Sequence, residues 1–150
     1  MKILAPLFSA LRPAPPQAEI EDPVLGVLRW DAHGKSWVSP PCPPIREYAL
    51  SIGRLKKERI PPRECIDVAR RLVLDPHALD RDLRLLKEQE SEKRSPALKS
   101  VLLSLRISSI TFRSEGGRIQ GELGLSSDPP QYGWSAWHLD GKICGIYMSD

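Results

Sequence analysis

The placement of proline constrains this chain more than any other feature. Fifteen of its 150 residues are proline, roughly double the usual 5%. Proline has no N–H to give to a ladder and clashes inside a helix, so each one marks where regular structure stops. Such a density excludes a long coiled coil and an all-helical repeat array. No stretch reaches the ~18 uncharged apolar residues of a membrane-spanning helix either. What survives is a series of short elements. At this length they form one domain, large enough to bury roughly 68–70% of its unfolded surface without a disulfide or metal staple.

Between the prolines the patterns are clear. Val24–Trp30 is rich in β-formers, Asp31-Ala32-His33-Gly34 is a turn, and Lys35–Ser39 returns with Trp37 on it. Pro40, Pro41, Pro43 and Pro44 forbid ladder pairing. In Ile45–Ile52, Tyr48, Leu50 and Ile52 alternate with Glu47, Ala49 and Ser51, and Gly53 ends the run. Pro61-Pro62 suits a helix start, where a missing N–H costs nothing. Cys65, Ile66, Ala69, Leu72 and Val73 then fall at helical spacing, opposite Arg63, Asp67, Arg70 and Arg71. Asp75-Pro76 and Ser95-Pro96 are each an N-cap followed by a first-turn proline. The helix after the first has a Leu79, Leu83, Leu86 stripe; the short one after the second, through about Ser104, buries Leu98, Val101 and Leu102. Leu105–Arg113, a Ser114-Glu115-Gly116-Gly117 turn and the alternating Arg118–Leu125 make a hairpin. Ser126–Gln131 is a polar loop. Trp134–Leu139 and Lys142–Met148 make a second hairpin about Asp140-Gly141, a strong short-range hairpin signal. Strands before and after a helical block predict an α+β fold: an antiparallel sheet of N- and C-terminal strands, with two to three central helices packed on one face.

The first 21 residues read as an apolar arm and a Pro-rich linker, with the single domain at 22–150. Met1–Leu11 has one lysine and an apolar run broken by Pro6, with no small-x-small cleavage site before Arg12–Gln17. This suits an arm docked on the body; an export signal is the alternative. Cys42, Cys65 and Cys144 are odd in number and widely spaced, as expected of free thiols in a reducing cytoplasm. His33, His77 and His138 are equally scattered, so no metal and no cofactor are expected.

Charge gathers in the middle. Residues 54–105 carry thirteen Lys/Arg against nine Asp/Glu, while the flanking segments are near balance. Arg54, Lys56, Lys57 and Arg59 form a short basic cluster, with Arg63, Arg70 and Arg71 on the next helix. Phosphate binding needs such a patch, but Glu58, Glu64 and Asp67 interrupt it and no nucleic-acid motif accompanies it, so a solvated face is expected. Asp80 and Asp82 are two apart on a helix and point to different sides. There is no G-x-S-x-G and no phosphate loop. Trp134 and Trp137, three apart on one strand, must face opposite sides of the sheet, so one is core and the other exposed or covered.

Two blocks carry a resemblance. Asp22-Pro23-Val24-Leu25-Gly26-Val27-Leu28-Arg29-Trp30-Asp31 followed by Trp37 resembles the opening G-x-L-x-x-D…W hairpin of small bacterial α+β domains, several of which are regarded as immunity proteins of polymorphic-toxin systems. Leu105–Phe112 together with Gly133–Ile143 resembles their closing strands. The likeness spans roughly residues 22–148 through turn and core positions. It departs at Gly133-Trp134, where such domains often have Gly-His. The resemblance implies a cytoplasmic protein that neutralises a cognate toxin or effector protein by stoichiometric binding, and it supplies no catalytic residues. The mildly basic charge then suits an acidic or mixed target surface. Charge location and aromatic placement nominate Arg70, Arg71, Arg84, Tyr132 and Trp134 as contacts. The rival readings are a small enzyme assembled from distant residues such as His138, Asp140 and Cys144, and a weakly basic nucleic-acid-binding regulator.

Overall fold

In a computed structural model describing residues 18–44, 46–53, 60–127 and 133–149, four strands precede three helices and four strands follow. The first group is β1 (Glu19–Asp22), β2 (Gly26–Asp31), β3 (Ser36–Ser39) and β4 (Ala49–Gly53). The helices are α1 (Arg63–Leu74), α2 (Pro76–Ser91) and α3 (Pro96–Ser104). The second group is β5 (Arg106–Glu115), β6 (Arg118–Ser126), β7 (Gly133–Leu139) and β8 (Lys142–Ser149). The eight strands form one sheet in chain order. The α+β expectation holds, with one refinement to the antiparallel sheet: β4 and β5 pair parallel, Leu50 beside Ile110 and Ile52 beside Phe112. A parallel neighbour needs a long crossover, and the whole helical block is that crossover.

Alternation builds the core. Leu50, Ile52, Ile110, Phe112, Ile119, Leu123, Leu125, Trp134 and Ala136 are buried, together with Cys65, Val68 and Ala69 of α1, Leu79 and Leu83 of α2 and Leu102 of α3. The intervening strand positions point to the other side of the sheet, where Glu122, Trp137 and Tyr147 are exposed. Helix α1 contacts β5 and β6, and α2 contacts β8. The two Xaa-Pro caps form as expected: Asp75 accepts from the Ala78 N–H and Ser95 from the Leu98 N–H.

The sheet begins earlier than the sequence suggests. Glu19–Asp22, inside or bordering the segment read as linker, pairs with β2. Asp22 closes that hairpin by accepting from the Val24 and Leu25 N–H groups. The arm at 1–17, the basic cluster at 54–59 and Tyr132 lie outside the described residues.

One irregularity ties the second sheet half together. Between the Ile110–Leu123 and Arg113–Gln120 pairs, the β5–β6 ladder opens. The Glu122 N–H donates to Thr111 Oγ1 instead of a carbonyl. The Thr111 carbonyl accepts from His138 Nε2 at 2.8 Å, across Gly121 of the intervening strand. A Cβ on Gly121 would collide with that carbonyl oxygen and come within 2.6 Å of Nε2. Glycine is required there for space, not for φ. Because a carbonyl only accepts, Nε2 carries the proton. Burial lowers the His138 pKa; the Thr111 bond and Asp140 oppose it.

Candidate functional site: a cleft beside helix α2

The four prolines after β3 leave their segment with an isolated backbone bridge between Cys42 and Arg46, and the Arg46 side chain adds to its hold. Arg46, only 4% exposed, donates through its guanidinium to the carbonyls of Leu25 (3.2 Å), Ser39 (3.4 Å), Pro40 (3.1 Å) and Tyr48, and to Ser39 Oγ (2.7 Å). It lies 5.7 Å from the Tyr48 ring centroid. Arg46 and Tyr48 form one wall of a cleft of about 650 Å³. The start of β5 and helix α2 supply most of the remaining lining.

Composition divides this cleft into a floor and a rim. Val73, Leu79, Leu83, Leu105 and Ile107 supply the apolar part. The charged lining residues are of both signs: Arg84, Lys87 and Arg106 with Glu47, Asp80 and Glu88. Lys87 is committed: its ammonium donates to the carbonyls of Leu105 (2.9 Å) and Leu103 (3.3 Å), where α3 ends. Burial lowers its pKa, opposed by Asp80. Burial raises the Tyr48 pKa, Arg46 lowers it and Asp80 adds to the rise, so its hydroxyl stays protonated at neutral pH. Arg84 and Arg106 are exposed, with no side-chain partner among the described residues. Leu103, 42% exposed, lines the same cleft. The cleft can therefore take an apolar side chain between groups of both signs, with two arginines open to a carboxylate.

Of the nominated contacts among the described residues, only Arg84 lines this cleft. Arg70 instead serves the fold: Nη2 and Nε donate to Asp22 Oδ2 at 2.6 and 3.0 Å, fastening α1 to the β1–β2 turn. Trp134 is a correction. It is 3% exposed and sits in the core, so it cannot be a surface contact, whereas Trp137 is 47% exposed. Their opposite facing was legible from spacing; which one is covered was not. Arg71 is exposed and borders a separate hollow of about 180 Å³ with Asp75 and Asp140. Sequence reasoning missed Tyr48, Leu103 and Arg106. The one signal for Leu103 was an apolar residue outside the buried stripe of its helix.

The rival catalytic trio does not assemble. The His138 ring is buried and bonded to Thr111, the Asp140 carboxylate accepts from the Ile119 N–H at 3.0 Å, and exposed Cys144 directs Sγ to the Lys142 carbonyl. No hydrogen bond joins the three. Burial pushes the Cys65 thiol up to about 11, with Glu64 adding to the rise, which leaves it a protonated core residue. On the opposite side of the sheet, Ser36, Ser51, Thr111, Arg113 and Glu122 line a second concavity of about 250 Å³. Among the described residues no cluster of three or more His, Cys, Asp or Glu is placed to hold a metal ion, and no helix is long and apolar enough to cross a membrane. No family model, curated protein or solved structure matches the chain.

Proposed function

We propose that this chain is a stoichiometric protein-binding module of the immunity type, which neutralises a toxin or effector protein by seating one of its protruding segments in the cleft beside α2. The observation that carries the reading is the pairing of apolar lining residues with two arginines, Arg84 and Arg106, that have no side-chain partner among the described residues and line the same cleft as exposed Leu103. The segment recognised carries an apolar anchor next to acidic side chains. Apolar contact supplies affinity, while charge complementarity supplies register and speeds encounter. Blocking a partner in this way needs only a pre-ordered complementary surface. The resemblance of the opening and closing hairpins to toxin-immunity domains points the same way.

Affinity capture of the tagged chain from its host's lysate tests this, run beside Leu103→Asp and Arg84→Glu. One near-stoichiometric protein retained by the native chain and lost with both variants supports the reading. A partner held equally by all three, or none where the cognate is expressed, refutes it. A partner replaced by nucleic acid that leaves as salt rises would favour the regulator reading.

A further inference from the structure

The two edges of the sheet are unlike. Strand β1 is Glu19-Ile20-Glu21-Asp22, a short acidic strand of the kind that discourages edge pairing. Strand β8 is twice as long and has one charge, Lys142, at its hairpin end. Antiparallel pairing with β7 turns alternate backbone N–H and C=O groups away from the partner strand. Ile146 lies opposite Ala136, between the Gly145–Trp137 and Tyr147–Ser135 pairs. The Asp140 N–H donates to the Ile119 carbonyl, so by alternation along the β6–β7 register Ala136 spends its N–H and C=O on Leu123, and Ile146 turns its own to the outer edge.

The side chains next to this edge are self-complementary. Trp137, 47% exposed, leans over Gly145: a Cβ there would meet its Nε1 at 2.7 Å. Tyr147, 40% exposed, stands on the same side of the sheet, opposite Ser135 of β7. We infer that β8 pairs antiparallel with β8 of a second copy of this chain, about a twofold axis at Ile146, to give a symmetric dimer with one continuous sheet. This register sets Tyr147 of each copy opposite Gly145 of the other, and so beside the Trp137 ring that overlies that glycine. The exposed aromatics of both copies then share one side of the continuous sheet at the seam, and the two Ile146 residues exchange their outward backbone hydrogen bonds. Lys142 stays at the ends of the paired region, in water. An isologous contact of this kind closes on itself and needs no other partner, and paired aromatics on neighbouring strands add to its strength. The inference does not depend on the cleft.

Light scattering across a micromolar to millimolar series, with hydrogen exchange read at the Ile146 amide, tests it. The expected result is a species of twice the 16.8 kDa chain mass, with the Ile146 amide protected more as concentration rises. Tyr147→Lys should weaken dimerisation about tenfold or more while leaving the circular dichroism spectrum unchanged. A 16.8 kDa species throughout, a dimer whose Ile146 amide exchanges freely, or a dimer indifferent to Tyr147→Lys would each overturn it.

Discussion

Replacing Gly121 by alanine should damage this protein far more than a one-carbon change normally does. Gly121 has ordinary backbone dihedrals, so the cost comes from space. The new Cβ would strike the Thr111 carbonyl oxygen, which its hydrogen bond from His138 holds in place, and crowd His138 Nε2 at 2.6 Å. Overpacking a close-packed site costs ~1–3 kcal/mol. Separating His138 from Thr111 leaves a buried carbonyl unpaired, which costs ~1–3 kcal/mol more. Together these give about 4 kcal/mol, or ~10 °C in Tm for a chain of this length. Urea denaturation of the native chain, Gly121→Ala, His138→Ala and the double variant measures it. In the His138→Ala background the Thr111 carbonyl is released and can rejoin the β6 ladder. The double variant should therefore be at least ~1 kcal/mol more stable than the sum of the single losses predicts. A Gly121→Ala loss under ~1 kcal/mol, or additive effects, would refute the idea that the imidazole reaches across the glycine.

Other outcomes follow from the same physics. Arg46→Met should destabilise by about 3–5 kcal/mol in denaturant titration, because four backbone carbonyls lose a buried donor at once; Arg46→Lys should not rescue it, since an ammonium lacks the forked geometry. Lys87→Met should cost about 2 kcal/mol, with faster hydrogen exchange at the end of α3 as the local signature. Stability should fall in two acid steps. His138 has a folded pKa below its ordinary value, so its contribution is full above about pH 6.5 and is lost as pH falls through the folded value; His138→Gln should flatten that limb. At Asp22, burial pushes the pKa up, but the hydrogen bonds from Arg70 and the Leu25 and Val24 N–H groups outweigh it and hold the carboxyl low. Its contribution is lost only at lower pH, as the folded value is crossed, and Asp22→Asn should flatten the second limb in a urea midpoint series.

Much of the architecture was legible because it rests on local chemistry. Asp75-Pro76 and Ser95-Pro96 announce their helices through a side-chain acceptor and a proline needing no partner. Asp140-Gly141 announces its hairpin because both residues tolerate positive φ, here 51° and 85°. What escaped depends on distant residues. Strand β1 has an acidic composition that no propensity rule favours, and only its pairing with β2 makes it a strand. Arg70 looked like a solvated helix residue because its partner, Asp22, lies 48 positions away. Gly121 looked like one more alternating position until His138 was placed beside it. The cleft was the least legible feature. Its walls come from the proline segment, α2 and the start of β5, and of its residues only Arg84 was nominated from charge.

The central claim is that partner binding occurs in this cleft, and hydrogen exchange of the chain alone and in its captured complex tests it most directly. Slowed exchange concentrated in residues 76–88 and 103–107, which supply α2 and the β5 start of the lining, is the predicted result. Protection confined to the opposite side of the sheet around Trp137 and Tyr147, with the cleft segments unchanged, would contradict it.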